Sequence, residues 1–254
     1  MRIVLLTDTH WGYSELGNIE NVKLLEDINR YVPRPFTVLH TGDAGSHERY
    51  QRQEYYHMLR EAFSTEDVGI VLGNHDHWAW TDKSKFRVKD LVSENAFFAK
   101  EAGINYLPNE PIEKDGVYIC GFNGWYHDIY MTRENAIPHL GDPSDGRRWL
   151  SQHSYQEFGK RIKEVEDAKA QGLRTVLCTH FGFVKKAADT DYKALTNGDY
   201  FGANPLWETM LDNVDYLFYG HSHVAFDDYA MNGRTRVVNA GSDYERPTYK
   251  VIEV

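Results

Sequence analysis

Cysteine is scarce in this sequence: Cys120 and Cys178 are the only two in 254 residues, and each sits inside an apolar run. Two such cysteines make no disulfide framework and read as small buried hydrophobes, which fits a reducing cytosol and a cytoplasmic location. Long hydrophobic runs are missing too. The opening run Ile3–Leu6 meets a carboxylate at Asp8, too soon for a signal-peptide core or a membrane span, and no later stretch reaches that length. Basic residues are in the minority, 28 against 38 acidic, for a formal charge of -10. That balance gives no sign of a general nucleic-acid or membrane-surface binder, although bound divalent cations would offset part of it locally. Internal repeats and linkers are also absent. With 41% hydrophobic and 14% aromatic residues the chain can bury a full core, so residues 1–254 read as a single domain.

A regular alternation runs along the chain. Ile3–Leu6 is a predicted strand ending in "TDTH", and a helix from about Ile19 to Tyr31 carries Val22, Leu24, Leu25 and Ile28 on one face. Phe36–His40 is a second strand, ending in "TGDAG", before a helix over Arg49–Phe63 with Tyr56, Leu59 and Phe63 on one stripe. Val68–Leu72 ends in "GNHD", and a helix within Arg87–Ala102 follows. Short strands are predicted near 104–107, 111–114 and 117–122, then a helix from about Tyr155 to Gln171 and the strand Thr175–Cys178 ending in "TH". A short helix near Leu206–Leu211 leads to the apolar run that ends in "GHSH", and the tail reads as antiparallel strands with turns at Asn232-Gly233 and Gly241-Ser242. Strands alternating with helices predict an α/β fold with helices packed on a largely parallel sheet. Residues 123–153 and 183–202 break the pattern with Gly, Pro, Asp and aromatic residues, and read as irregular insertions near the active site.

Five strand ends therefore carry "DTH", "GD", "GNHD", "TH" and "GHSH", at the edge where open sheets of this class hold ligands. Asp8, His10, Asp43, Asn74, His180, His221 and His223 offer four imidazoles, two carboxylates and an amide oxygen. One tetrahedral ion takes about four ligands, so two ions sharing a carboxylate fit better. A nitrogen and oxygen set without thiolate suits manganese, placed first, or iron, zinc, cobalt or nickel. Two cations about 3.5–4 Å apart can hold a bridging hydroxide and clamp a phosphoryl group for in-line displacement, so the inferred chemistry is hydrolysis at phosphorus. Taken singly, each motif has a plainer reading. Asp8-x-His10 resembles a helix cap beside a surface histidine, Gly42-Asp43 an ordinary turn, and His180 a hydrogen-bonded core histidine. His221 and His223, two apart in extended chain, would point the same way. Five coincidences in one chain order outweigh these separate explanations.

The ordered set Asp-x-His, Gly-Asp, Gly-Asn-His-Asp, His, Gly-His-x-His, from Asp8 to His223, resembles the calcineurin-like metallophosphoesterase superfamily. The resemblance implies a four-layer αββα sandwich of two mixed β-sheets flanked by helices. It implies that Asp8, His10, Asp43 and His223 hold one ion and Asp43, Asn74, His180 and His221 a second, with Asp43 as the bridge. By the same resemblance His75 is a catalytic group rather than a ligand, facing the phosphate and protonating the leaving oxygen. Asp76 is the carboxylate expected to orient it. His77 reads as a solvated histidine beside Trp78.

The protein serine/threonine phosphatases of the superfamily extend Gly-Asp to Gly-Asp-x-x-Asp-Arg, whereas "GDAGSH" puts Ser46 and His47 at those places. Loss of that bidentate arginine counts against a protein phosphatase and favours a phosphodiesterase-like enzyme. Specificity is expected from Trp125, Tyr126, His127, Tyr130, Arg147, Arg148 and Trp149, and from Lys185, Lys186, Tyr192, Lys193 and Tyr200, which mix aromatic faces with cations. The expected partner is a small phosphoester substrate, with no membrane, and the sequence leaves the oligomeric state open. "DTHWGY" also resembles the opening of the superfamily's DNA-repair nucleases, but the charge of -10 disfavours nucleic acid. A non-catalytic scaffold, like a retromer subunit of the superfamily, is disfavoured because all seven ligand positions and His75 are filled.

Overall fold

The computed structural model describes residues 1–45, 48–77, 88–125, 143–184 and 204–254. Its strands are β1 (Arg2–Leu6), β2 (Thr37–His40), β3 (Asp67–Ile70), β4 (Asn105–Tyr106), β5 (Ile112–Lys114), β6 (Val117–Gly121), β7 (Arg174–Cys178), β8 (Tyr216–Phe218), β9 (Phe226–Tyr229), β10 (Arg236–Asn239) and β11 (Tyr249–Glu253). Among the described residues the helices are α1 (Glu15–Tyr31), α2 (Arg49–Ala62), α3 (Val88–Glu101) and α4 (Pro143–Ala170). Short 3-10 segments occupy His75–His77 and Pro205–Met210.

The expected largely parallel sheet is two mixed sheets. One runs β11-β1-β2-β3-β4, the other β5-β6-β7-β8-β10-β9. β1 to β4 pair in parallel and β11 joins β1 antiparallel. In the second sheet β6, β7, β8 and β10 are parallel, and the edges β5 and β9 are antiparallel. Side-chain alternation explains the layering. Ile3 and Leu5 of β1 face inward to a core shared with Val176, Cys178, Phe218 and Val238 of the second sheet. Val4 and Leu6 face outward, onto Leu24, Leu25 and Ile28 of α1 and Tyr55 and Leu59 of α2. On the far side Leu177 and Leu217 meet Phe158, Ile162 and Val165 of α4. A strand buried on both faces reads as a continuous apolar run, and the resulting order is helices, sheet, sheet, helix, the sandwich that the resemblance implied.

Several expectations change. Val22 is exposed, because α1 buries Asn21, Leu24, Leu25 and Ile28 instead. Asn21 earns its buried place by donating to the carbonyls of Thr9 and Gly17, at 2.8 and 2.9 Å. The predicted insertion at 123–153 is helical from Pro143 on, since α4 begins there. Proline lacks only an N–H that the first helical turn would leave unpaired, so it opens a helix as readily as it breaks one. The short helix near 206–211 is a 3-10 segment, capped by Asn204 Oδ1, which accepts the Leu206 N–H at 3.0 Å. The tail strands enter antiparallel pairs as expected, but they divide between the sheets: β9 pairs β10 in the second, while β11 crosses to pair β1 in the first.

Candidate metal centre

The strand ends meet at one edge of the sandwich. Asp8 and His10 follow β1, Asp43 follows β2, Asn74 follows β3, His180 follows β7, and His221 and His223 follow β8. Five of these seven residues adopt the left-handed backbone: Asp8 (φ 47), His10 (φ 45), Asp43 (φ 53), His221 (φ 69) and His223 (φ 57). Each such residue costs about 1–2 kcal/mol, so the surroundings must hold it in place. The Asp8, His10 and Trp11 N–H groups donate to the carbonyls of Gly42, Asp43 and Ala44, each at 3.0 Å. Buried His40 clasps the same two loops. Its Nδ1 accepts the Gly42 N–H at 3.2 Å, which leaves the proton on Nε2 to donate to Thr9 Oγ1 at 2.9 Å. Burial drives the His40 pKa down to about 3, so the clasp is a neutral ring.

The expectation of an extended His221-x-His223 is corrected by this backbone. Gly220–His223 is a tight turn, closed by the Ser222 N–H on the Gly220 carbonyl at 2.8 Å and held by Asn239 Nδ2 on that carbonyl at 3.1 Å. The turn sends its two imidazoles to different neighbours. His223 joins Asp8 and His10, and His221 joins Asp43 and His180, with the donor atoms of each trio within 4.8 Å of one another. Asp43 stands between the trios. Its Oδ2 lies 3.4 Å from His180 Nε2 and 3.9 Å from His10 Nε2. A third grouping of His10, Asp43 and His75 spans the gap.

The donor chemistry fits divalent cations. His180 Nδ1 donates to the Thr41 carbonyl at 2.8 Å, which aims Nε2 at Asp43 Oδ2 and at Asn74 Oδ1, 3.1 Å away. Burial is the largest single influence and opposes a charge on His180, but the charge and hydrogen bond of Asp43, the charge of Asp8 and the bond to Thr41 together outweigh it and raise its pKa to about 9. A cation at that point would take the place of the proton. His10 is completely buried and neither ring nitrogen has a hydrogen-bond partner. Such orphaned nitrogens are costly unless something binds them. Burial and nearby imidazoles lower the His10 and His221 pKa values far below normal, so both rings are neutral. For Asp43, burial acts upward, yet His180 and His75 hold it well below the ordinary carboxylate range. Asp8 is raised by burial, with His223 and His180 pulling against it. The close approach of the loops depends on Gly42, at φ 96, where a Cβ would stand 2.7 Å from His180 Nδ1.

His75 lies over Asp43: its N–H donates to Asp43 Oδ1 at 2.8 Å and its Nε2 is 4.0 Å from Oδ2. Asp76 does not orient the His75 ring. Its carboxylate accepts the Asp43 and Gly73 N–H groups at 2.8 Å each and the Gly45 N–H at 3.5 Å, tying the second and third ligand loops together. Adjacent residues in a 3-10 turn point apart, which is why Asp76 faces the backbone behind its neighbour. Burial, then Asp43, lifts its carboxyl to about 6. His77 is not solvated either. It is wholly buried, edge-on to Trp125 at 5.7 Å, and burial lowers its pKa to about 3. Ser46, His47, Trp78, Tyr126, His127, Tyr130, Lys185, Lys186, Tyr192, Lys193, Tyr200 and the side chains of Arg147 and Arg148 lie outside the described residues. Trp125 is buried against Phe181, and Trp149 stacks on His153 at 4.5 Å.

Three residues at the site escaped the sequence reading. Tyr244 lies on His10 with ring centroids 4.2 Å apart, and its hydroxyl is 3.5 Å from His75 Nε2. No strand end announces it; it is carried in by the crossing from β10 to β11. Asn123 joins the sheets, accepting the Leu72 N–H at 2.9 Å while its carbonyl accepts the His180 N–H at 3.2 Å. Arg52 is fully buried on α2, donating to Asn95 Oδ1 at 2.9 Å and to the His75 carbonyl at 3.5 Å. Its place four residues before Tyr56, on the apolar stripe, was the available signal.

Residues 1–225 match the calcineurin-like phosphoesterase family. The chain belongs to that family. Calcineurin-like phosphoesterases are metal-dependent hydrolases, and the Asp and His clusters described here could hold metal. No curated protein sequence matches the chain. Among solved structures, phosphopantetheinyl hydrolase from Mycobacterium tuberculosis is similar at a TM-score of 0.68 and 16% identity, over 98% of this chain and 95% of that one. A dimetal phosphatase from Danio rerio gives 0.62 and 14%, over 99% and 91%. The NAD nucleotidase of Haemophilus influenzae gives 0.55 and 13%, over 100% of this chain and 49% of that one, so this chain spans about half its length. At such identities the likeness is one of calcineurin-like phosphoesterase fold. Among the described residues no helix is long and apolar enough to cross a membrane.

Proposed function

We propose that this protein hydrolyses a small phosphoester with two divalent cations, manganese first among the candidates, and prefers phosphodiesters or nucleotides to phosphoproteins. The observation that carries the reading is the pair of trios, Asp8–His10–His223 and Asp43–His180–His221, joined through Asp43. In this reading Asp8, His10, Asp43 and His223 hold one cation, and Asp43, Asn74, His180 and His221 the other. When bound, the cations supply charge for the phosphoryl oxygens and a nucleophile from water. His75, at the Asp43 edge with 8% of its side chain exposed, protonates the leaving oxygen. Asp76 is a positioning residue that sets the Gly73 and Asp43 backbone. A hydrolase, a phosphatase and a nucleotidase among the similar structures support a phosphoester substrate.

The test begins with elemental analysis, then hydrolysis of bis-p-nitrophenyl phosphate and p-nitrophenyl phosphate with manganese added. About two metals per chain and faster diester cleavage are expected. His75→Ala should lower turnover roughly 100-fold or more with metal content intact, and Asp43→Asn should lose at least one metal. Loss of metals from His75→Ala would reverse the assigned roles. Protein that binds no metal and cleaves neither ester after manganese reconstitution would overturn the reading altogether.

A further inference from the structure

We propose that Tyr244 is a positioning residue for His75, holding the imidazole edge from which the leaving group takes its proton. The inference rests on the proton-donor reading of His75 and adds the group that fixes its direction.

The turn that carries Tyr244 is closed on itself. Asp243 and Arg246 exchange backbone bonds at 3.2 and 2.9 Å, and the Thr248 N–H donates to Ser242 Oγ at 2.9 Å. The turn is seated on α1 at Gly17, where a Cβ would stand 2.6 Å from the Tyr244 carbonyl oxygen. Only a residue without a side chain lets the two backbones meet there. The Tyr244 ring is then held by stacking: near-parallel to His10 at 4.2 Å and to His223 at 5.0 Å, with Tyr13 packed on it at 4.5 Å. A ring fixed in this way carries its hydroxyl to one place, 3.5 Å from His75 Nε2. That is the edge of hydrogen-bond range, and catalytic bonds of this kind tighten once substrate is bound.

The chemistry requires a partner that serves both protonation states of the imidazole. A tyrosine hydroxyl does so, because its oxygen shares the Nε2–H with the leaving oxygen in a three-centre bond before transfer and its O–H donates to the bare Nε2 afterwards. The proton itself goes from Nε2 to the leaving oxygen as the P–O bond breaks, and Tyr244 ends unchanged. The His75 backbone N–H donates to Asp43, which fixes the main chain and leaves ring direction to side-chain contacts, the Tyr244 hydroxyl among them.

Tyr244→Phe keeps the stacked ring and removes only the hydroxyl. The experiment compares methyl p-nitrophenyl phosphate, cleaved to p-nitrophenolate, with a dialkyl phosphate whose alkoxide leaving group needs a full proton. We expect kcat for the dialkyl ester to fall about tenfold, a fraction of what general acid catalysis supplies. The aryl ester should change less than about twofold, with KM and metal content unchanged. Independently of turnover, the His75 ring resonances of metal-free protein should move in Tyr244→Phe and stay put in Tyr13→Phe. Equal effects on both esters, or none on either while His75→Ala shows the alkyl-selective loss, would overturn the role of Tyr244 and leave His75 standing. A His75→Ala variant without leaving-group dependence would instead bring down the proton-donor reading, and the role of Tyr244 with it.

Discussion

Glu157 shows how a single residue can tie stability to pH away from the candidate metal centre. It sits on α4 with 14% of its side chain exposed, Oε1 3.5 Å from His153 Nε2, and a buried Oε2 that has no hydrogen-bond partner. Burial raises its pKa from 4.5 to about 7, with an Asn123 backbone hydrogen bond, Arg161 and Lys160 acting the other way. The folded state therefore binds more protons than the unfolded chain between those two values, and stability falls as pH rises through the window. Glu157→Gln should remove the fall and raise stability at pH 8 by roughly 1–3 kcal/mol, with little change at pH 4. Urea denaturation at the two pH values checks it, and a parallel pH dependence in both proteins would be the contrary result. The same scale shows where reading single residues from sequence fails. His77 and Asp76 are polar and sit in a loop, so they look solvated or substrate-facing, yet each is completely buried. Which way a side chain turns out of a 3-10 segment depends on what packs behind it.

At the scale of elements, the recurring device is a parallel strand that ends in a residue of left-handed backbone. β1 and β2 end side by side, so the Asp8–His10 and Gly42–Asp43 loops exchange backbone bonds and their strain is shared. Gly42→Ala would put a Cβ 2.7 Å from His180 Nδ1 at φ 96, and should therefore disturb ligation as well as the turn. The expected result is a loss of roughly 1–3 kcal/mol and at least one metal per chain. Thermal melting with elemental analysis reads both, and a variant with full metal content would show that the loops have more room than this geometry gives them. Most elements were legible because strands buried on both faces make short apolar runs, as in Val-Leu-Leu before Asp8. The start of α4 was hidden by Pro143, and the crossing of β11 by its position: strand character does not say which sheet a strand will join.

Over the whole molecule, the two sheets bring together buried carboxylates and imidazoles whose charge and lone pairs a cation would satisfy. Asp8 and Asp43 are buried, and His10 has orphaned nitrogens. A cation that binds the folded state alone adds stability as its concentration exceeds Kd, about 4 kcal/mol at 1,000-fold excess. For a chain of this length that corresponds to roughly 10 °C in Tm. Chelator should lower Tm by about that much and manganese should restore it, whereas a Tm indifferent to both would mean that these clusters hold no cation. The sequence by itself determined which polar side chains meet at one edge of the sandwich. Asp8, His10, Asp43, Asn74, His180, His221 and His223 are marked by where apolar runs stop, and strand polarity alone puts such ends on one edge. It also determined that the strands would be covered on both faces, since their apolar runs leave no polar side for water. Only the tertiary structure decided how the donors are shared. The left-handed turn at Gly220–His223 parts two neighbouring histidines, Asp76 turns to the backbone, and β11 carries Tyr244 from the far end of the chain onto His10. Those outcomes depend on contacts between residues far apart in the chain, and local pattern holds no record of them.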